Sequence, residues 1–411
     1  MMNELPKGWK REKVSSVAEL FRGINYTKDV ASNNPFKEGL PILRGNNING
    51  ELNFDDLVYV PKALIKKEQF IKKDDIIFAM SSGSKHLVGK SAVAKKDFNG
   101  SYGAFCALLR ISDDVNKKYV SYIFKGNSYR KLISEIAKGT NINNLKREHI
   151  LDFELPLPPK PTQQAIVSKI EELFSELDKG IENLHLAQQQ LKTYRQSVLK
   201  WAFEGKLSER KSEWKNVRLG DVANAIDPQP SHRTPPIVQN GVPFVSIKDF
   251  DSELDKIDFT HARRVSPSVL KEHLERYKLE IGDFVIGKIG TIGKPVRIVL
   301  PQDYCLSANI VLIQPRKIST TYLYYFFQSN LIEKAFTEGM KATSQPAFGI
   351  QKVRELRIEL PDEIEQYKIG QEIESRLSVA DKMEESITQS LQQAEALRQS
   401  ILKKAFEGRL I

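Results

Sequence analysis

A thirteen-residue segment halfway along this chain returns almost unchanged at its end. Arg195-Gln196-Ser197-Val198-Leu199-Lys200-Trp201-Ala202-Phe203-Glu204-Gly205-Lys206-Leu207 reappears, 203 positions later, as Arg398-Gln399-Ser400-Ile401-Leu402-Lys403-Lys404-Ala405-Phe406-Glu407-Gly408-Arg409-Leu410, with ten of the thirteen identical. A repeat with that period divides 411 residues into two structural copies and restricts the fold to an architecture that can be built twice. Upstream the same offset pairs Ile166 with Ile369, Ile170 with Ile373, Glu171 with Glu374, Asp178 with Asp381 and Leu184 with Ile387. The segments before these match more loosely. Trp9-Lys10 parallels Trp214-Lys215, Gly39-Leu40-Pro41 parallels Gly241-Val242-Pro243, Asp75-Ile76-Ile77 parallels Asp283-Phe284-Val285, and Val88-Gly89-Lys90 parallels Ile292-Gly293-Lys294.

The near-identical parts are helical in pattern. After Pro161, with Thr162 as a fair N-cap, no proline occurs before Glu204. Apolar residues recur at three- and four-residue steps through Ile166, Ile170, Leu173, Leu177, Ile181, Leu184, Leu191, Tyr194, Val198 and Ala202. The second copy runs Ile369, Ile373, Leu377, Ala380, Ile387, Leu391, Ala394, Leu397, Ile401, Ala405, and Gly205 and Gly408 mark the stops. Such a stripe predicts a coiled-coil-like seam, a rod of roughly 60 Å in which Leu173, Leu177, Leu184, Leu191, Phe203, Leu377, Ile387, Leu397, Ile401 and Phe406 serve spacing and partner binding. The other copy, running antiparallel, is the nearest cover for each stripe. A helix's own domain, or a second chain, are the alternatives.

The looser segments read as mixed α/β. Short strand-like runs (Ile76–Ala79, Phe105–Leu109, Phe284–Gly287, Ile310–Ile313) are broken by Gly, Asn and Ser, with one helix expected near Lys118–Lys138 and another near Thr321–Met340. The expected organisation is therefore α+β: globular segments at 1–155 and 209–358, helical spacers at 156–208 and 359–411, related by a pseudo-two-fold repeat. Charge follows that division. Residues 1–155 carry 26 Lys/Arg against 18 Asp/Glu and 209–358 carry 22 against 17, whereas the helical segments hold 7 against 6 and 7 against 11. The +10 surplus thus lies in two segments, which suits two surfaces for a polyanion.

Catalytic look-alikes fail on spacing or context. Gly83–Ser91 resembles a phosphate-binding loop, but five residues separate its glycines where four are needed, and Ala92-Val93-Ala94 reads as strand. Asn34-Pro35-Phe36 lacks the second proline of an adenine-methyltransferase motif, and Gly287–Gly293 is wrongly spaced for a dinucleotide fold. The six histidines form no close pair, so no metal site is expected. Cys106 and Cys305, in apolar surroundings, read as buried reduced thiols. No apolar run suits a membrane, and nothing at the start resembles a signal peptide, so a cytoplasmic location is expected.

What the globular loops do offer suits nucleic acid. Asn pairs bidentately with adenine, Arg or Lys with guanine, and hydroxyls and cations hold phosphates. Candidate DNA contacts in the first copy are Arg44, Asn46, Asn47, Ser84, Lys85, His86, Lys90, Thr140, Asn141 and Asn143. In the second they are Ser246, Lys248, Lys288, Thr291, Lys294, Ser344 and Gln345. An interaction scaffold with incidental basic charge, or an RNA binder, stands beside this reading.

Along essentially its whole length the chain resembles the specificity subunits of type I restriction–modification systems. The opening Leu5-Pro6-Lys7-Gly8-Trp9, the segment Leu155-Pro156-Leu157-Pro158-Pro159 followed by Gln163-Gln164, and the duplicated endings carry the resemblance. The second pre-helix segment departs. Glu359-Leu360-Pro361-Asp362-Glu363 has one proline where the first copy has a cluster, which bears on the angle at which the second helix begins. The resemblance implies two target recognition domains, each reading one half of a split double-stranded DNA sequence, separated by an antiparallel helical spacer. It also implies two methyltransferase subunits and restriction subunits as partners, with S-adenosylmethionine, ATP and Mg on those partners, none on this chain, and no catalysis by this chain. Because the two copies differ in their loops, the target should be bipartite and asymmetric, with a gap on the order of 10 bp between centres.

Overall fold

The computed structural model describes residues 5–81, 88–138, 144–208, 213–229, 231–251, 255–288, 294–340 and 349–411. It divides into two compact units, one formed by Met1–Leu184 with Gln389–Ile411, the other by His185–Thr388.

In the first unit the runs of β-branched and aromatic residues form a four-stranded antiparallel sheet. Ala18–Arg22 pairs with Cys106–Ile111, which pairs with Ile76–Ala79, which pairs with Ser91–Val93. Alternation along these strands serves two cores. Ile76, Phe78, Ala107 and Leu109 face helices, whereas Ile77, Ala79, Cys106 and Leu108 face Leu43, Ile48, Ile71 and Tyr102. Gly39–Leu43 forms a smaller sheet, antiparallel to Val58–Pro61 and parallel to Ser101–Tyr102. Lys10–Lys13 pairs with Glu154–Leu157 immediately before the first long helix.

The second unit repeats this topology. Ala223–Ile226, Ile310–Pro315, Phe284–Gly287 and Val296–Arg297 form the four-stranded sheet, and Val242–Val245 lies between Arg263–Val265 and Cys305–Leu306. Lys215–Arg218 pairs with Arg357–Leu360. Each single helix expected after the central strand is instead two. Lys117–Lys125 and Asn127–Lys138 break at Gly126, and Thr320–Gln328 and Asn330–Met340 break at Ser329. Both break residues adopt extended backbone, and the Ser329 hydroxyl donates to the Phe326 carbonyl at 2.7 Å.

The long helices span Lys160–Phe203 and Glu363–Phe406, 44 residues each. The first therefore begins two residues before Thr162. Pro161 sits in the first turn, where its missing N–H costs nothing, and Gln163 N–H donates to the Pro159 carbonyl at 3.0 Å. Both helices start against the same lock. Gln163 Nε2 donates to the Pro158 carbonyl and Gln366 Nε2 to the Pro361 carbonyl, both at 2.8 Å. Their Oε1 atoms accept from the backbone N–H of Asn116 and Ser319, again at 2.8 Å. Tyr119 and Tyr322 donate to the carbonyls of Pro156 and Glu359, each at 2.8 Å. The missing prolines of the second copy leave this lock intact, because it uses carbonyls and one glutamine, but Asp362 adds a cap that the first copy lacks, its Oδ1 accepting from Glu365 N–H at 2.8 Å. Both helices end in the same left-handed glycine cap, with Lys206 N–H donating to the Trp201 carbonyl and Arg409 N–H to that of Lys404 at 2.8 Å, and φ of 72° and 67° at Gly205 and Gly408.

Each unit borrows the end of the helix that follows the other copy. In the first unit Ile401, Leu402 and Ala405 join Ile166, Val167 and Ile170 in one core, and Phe406 meets Tyr119 edge-on at 5.5 Å. In the second, Val198, Leu199, Ala202 and Phe203 join Ile369 and Ile373, and Phe203 meets Tyr322 at 5.1 Å. Arg398 pairs with Asp178 in the first unit, and Arg195 with Asp381 at 2.6 Å in the second. The segments within each unit are antiparallel, and a helix that packs only on its own domain is thereby excluded. Leu191, Phe203, Ile387 and Ile401 are buried, while Leu173, Leu177, Leu184, Leu377 and Phe406 are partly covered. Leu397 departs from the expected stripe at 51% exposure, as does its equivalent Tyr194 at 36%. The covered face runs Ala394, Arg398, Ile401, Ala405, and Leu397 stands one residue, about 100°, round from Arg398.

Candidate nucleic-acid interface

The strand Gly39–Leu43 ends in a tight turn at Gly45–Asn47, from which a short hairpin pairs Ile48–Asn49 with Glu51–Leu52. Asn47 holds the turn. Its Oδ1 accepts from Arg44 N–H and its Nδ2 donates to the Asp55 carbonyl, both at 2.8 Å. With 1% exposure and both amide ends occupied, Asn47 offers no edge to a base, contrary to its place among the candidates. Arg44 is half-buried and donates to the carbonyl and the carboxylate of Asp56 at 2.8 Å, so its charge is already partnered. Asn46 is exposed.

Beside this turn lies one flanking residue from each of two other candidate segments. The Gly45 backbone lies against the Ser81 carbonyl, with 3.7 Å to the place of a Cβ. Ser81 and Asn144 form an antiparallel bridge, and Leu145 N–H donates to the Met80 carbonyl at 2.7 Å. Ser81, which precedes 82–87, and Asn144, which follows 139–143, therefore meet beside the Arg44–Asn47 turn. Ser84, Lys85, His86, Thr140, Asn141 and Asn143 themselves lie outside the described residues. Lys90 donates to Asn49 Oδ1 at 2.6 Å, tying the edge strand to the hairpin. Ser91–Val93 is a strand, as read, rather than the helix a phosphate loop requires.

In the second unit Ser246 and Asp249 form the equivalent turn, with Asp249 Oδ2 accepting from both the N–H and the hydroxyl of Ser246 at 2.8 Å. Ser246 is thus engaged internally, and Lys248 is exposed. Lys288 is a correction. It is 8% exposed and its ammonium pairs with Asp227 at 2.6 Å, so that neutralising contact, not a phosphate, accounts for it. Lys294 is exposed without a partner among the described residues. Thr291, Ser344 and Gln345 lie outside the described residues.

Sequence reasoning missed Phe105. The strand expected from Phe105 begins instead at Cys106, and Phe105 stands 69% exposed on the turn, its carbonyl accepting from the N–H groups of Met80 and Ser81. Gly103 two residues earlier was the available turn signal. Cys106 and Cys305 are buried, and desolvation pushes both thiols up to about 12. Among the described residues no group of three or more His, Cys, Asp or Glu could hold a metal, and no helix is long and apolar enough to cross a membrane.

By fold these features define an internally duplicated α+β protein in which each copy is closed by the ends of two long helices. A family model described as "Type I restriction modification DNA specificity domain" matches residues 6–185 and 211–396, and the chain belongs to that family, the type I restriction–modification specificity subunits. It is similar to the type I restriction enzyme EcoKI specificity subunit of Escherichia coli strain K12, with 32% identity over 430 residues, 99% of this chain and 90% of the relative. The StySPI specificity subunit of Salmonella potsdam is 31% identical over 426 residues, with the same coverage. Among solved structures, a chain described under complex assembly and conformational transition of the type I R-M system shares the fold with a TM-score of 0.74, at 18% identity over 99% of this chain and 100% of that one. The HsdS subunit from Thermoanaerobacter tengcongensis gives 0.55 at 18% identity, covering 99% of each.

Proposed function

We propose that this chain selects an asymmetric, bipartite double-stranded DNA target and brings methyltransferase and restriction subunits to it, without catalysing a reaction itself. Residues 1–155 and 209–358 are the two readers, and 156–208 and 359–411 fix the gap between the half-sites. The observation that carries this is a framework built twice with the same hydrogen bonds, whose exposed turn residues differ between copies. Matched scaffolds with unlike reading residues call for two unlike half-sites. The positive surplus of the two globular segments supplies the sequence-independent attraction. On this reading S-adenosylmethionine, ATP and Mg belong to the partner subunits.

The test is selection from a random duplex pool by the chain assembled with its methyltransferase subunit. Recovery of a two-part motif supports the reading. Retention without sequence preference leaves only an interaction scaffold.

A further inference from the structure

We propose that Asn46 and Lys248 occupy one equivalent base-contacting position in the two readers, and that their different chemistry is a source of the asymmetry between the half-sites. This rests on the DNA-reading function proposed above and adds the residue pair that discriminates.

The argument begins with the turn. Arg44-Gly45-Asn46-Asn47 and Ser246-Ile247-Lys248-Asp249 share no residue, yet they fold alike. Asn47 N–H donates to the Arg44 carbonyl and Asp249 N–H to that of Ser246, both at 2.9 Å. The side-chain oxygens of Asn47 and Asp249 accept from the backbone N–H of Arg44 and Ser246, both at 2.8 Å. Downstream, Asn53 N–H donates to the Asn47 carbonyl at 2.9 Å and Asp258 N–H to that of Asp249 at 2.8 Å, closing the hairpin each time. The fourth position is therefore consumed by the turn and must be Asn or Asp, residues that accept such bonds.

The third position is under no such demand. Asn46 and Lys248 are exposed and make no side-chain hydrogen bond or ion pair among the described residues. A fixed backbone with a free side chain is what a reading position needs, because the group is aimed without being committed. An amide can pair bidentately with adenine N6 and N7, and an ammonium donates to guanine O6 and N7. In the first unit this turn also adjoins the bridge between Ser81 and Asn144.

The experiment maps methylated adenines genome-wide in cells carrying the full chain with its methyltransferase subunit, comparing wild type with Asn46→Lys and with Lys248→Asn. The expected result is a changed base preference, about tenfold or more, at one base pair of one half-site for the first variant and at one base pair of the other half-site for the second. Asn46→Ser and Lys248→Gln, which fit any exposed turn position, read the same base pairs if a reciprocal variant accumulates poorly. Unchanged preferences in both halves would overturn the inference, as would a uniform loss across all sequences, which marks a phosphate contact. A wild-type chain that directs no sequence-specific methylation would instead defeat the function on which the inference rests.

Discussion

Asn46 and Asn47 are adjacent and chemically identical, yet the turn gives them opposite work. Replacing Asn47 with alanine leaves the Arg44 N–H and the Asp55 carbonyl without their partners, and should cost about 1–3 kcal/mol in urea unfolding. Asn46→Ala should stay within about 0.5 kcal/mol of the parent. Sequence marked both as candidates because composition carries no sign of which amide a turn consumes. The same blindness placed Lys288 among the DNA contacts, since its carboxylate partner Asp227 is 61 residues away in the chain. A titratable residue gives a further check. His273 is buried with its Nδ1 2.9 Å from the Tyr277 hydroxyl, and desolvation holds its pKa below the ordinary 6.5. The unfolded chain therefore binds a proton more readily than the folded one. This contribution to stability is present above 6.5 and is lost as pH falls through the folded value. Melting temperature should decline with acidification over that range, and His273→Gln should show a shallower decline. An equal slope in both proteins would exclude His273 as its source.

At the scale of elements, the long helices were the most legible part of the sequence. A 3–4 apolar stripe without proline, bounded by glycine, leaves few alternatives, and the duplicated landmarks fixed the paired topology. Two features escaped. The break at Gly126 and Ser329 depends on where the helix meets its domain, and the position of Leu397 depends on a rotation of about 100° that periodicity alone does not set. The lock beneath each helix was visible only as Gln163-Gln164 and Glu365-Gln366, without its partners. Gln163→Ala and Gln366→Ala should each lower stability by about 1–3 kcal/mol, because each strands a partly buried N–H and a buried carbonyl. The ion pairs Arg195–Asp381 and Arg398–Asp178 involve carboxylates that are largely exposed, and their double-mutant coupling energies should not exceed about 1 kcal/mol.

For the whole molecule, the duplication carries the functional reading further than any single residue does. It gives two matched scaffolds and two long helices, and on the proposed reading it gives the helices a testable role as spacer. Removing seven residues from the middle of both helices preserves the face of each helix and should shorten the gap between the half-sites, read as the motif bound by the assembled complex. An unchanged gap would show that the helices do not set it. The half-site sequences of the proposed target were not legible, since base contacts depend on how loop side chains are placed rather than on loop composition. The central claim, two unlike readers at a fixed separation, is tested most directly by mapping methylated adenines in cells that carry this chain and its methyltransferase subunit. The expected result is one asymmetric motif in two parts with a single gap length. A continuous motif, or two parts at variable separation, would contradict it.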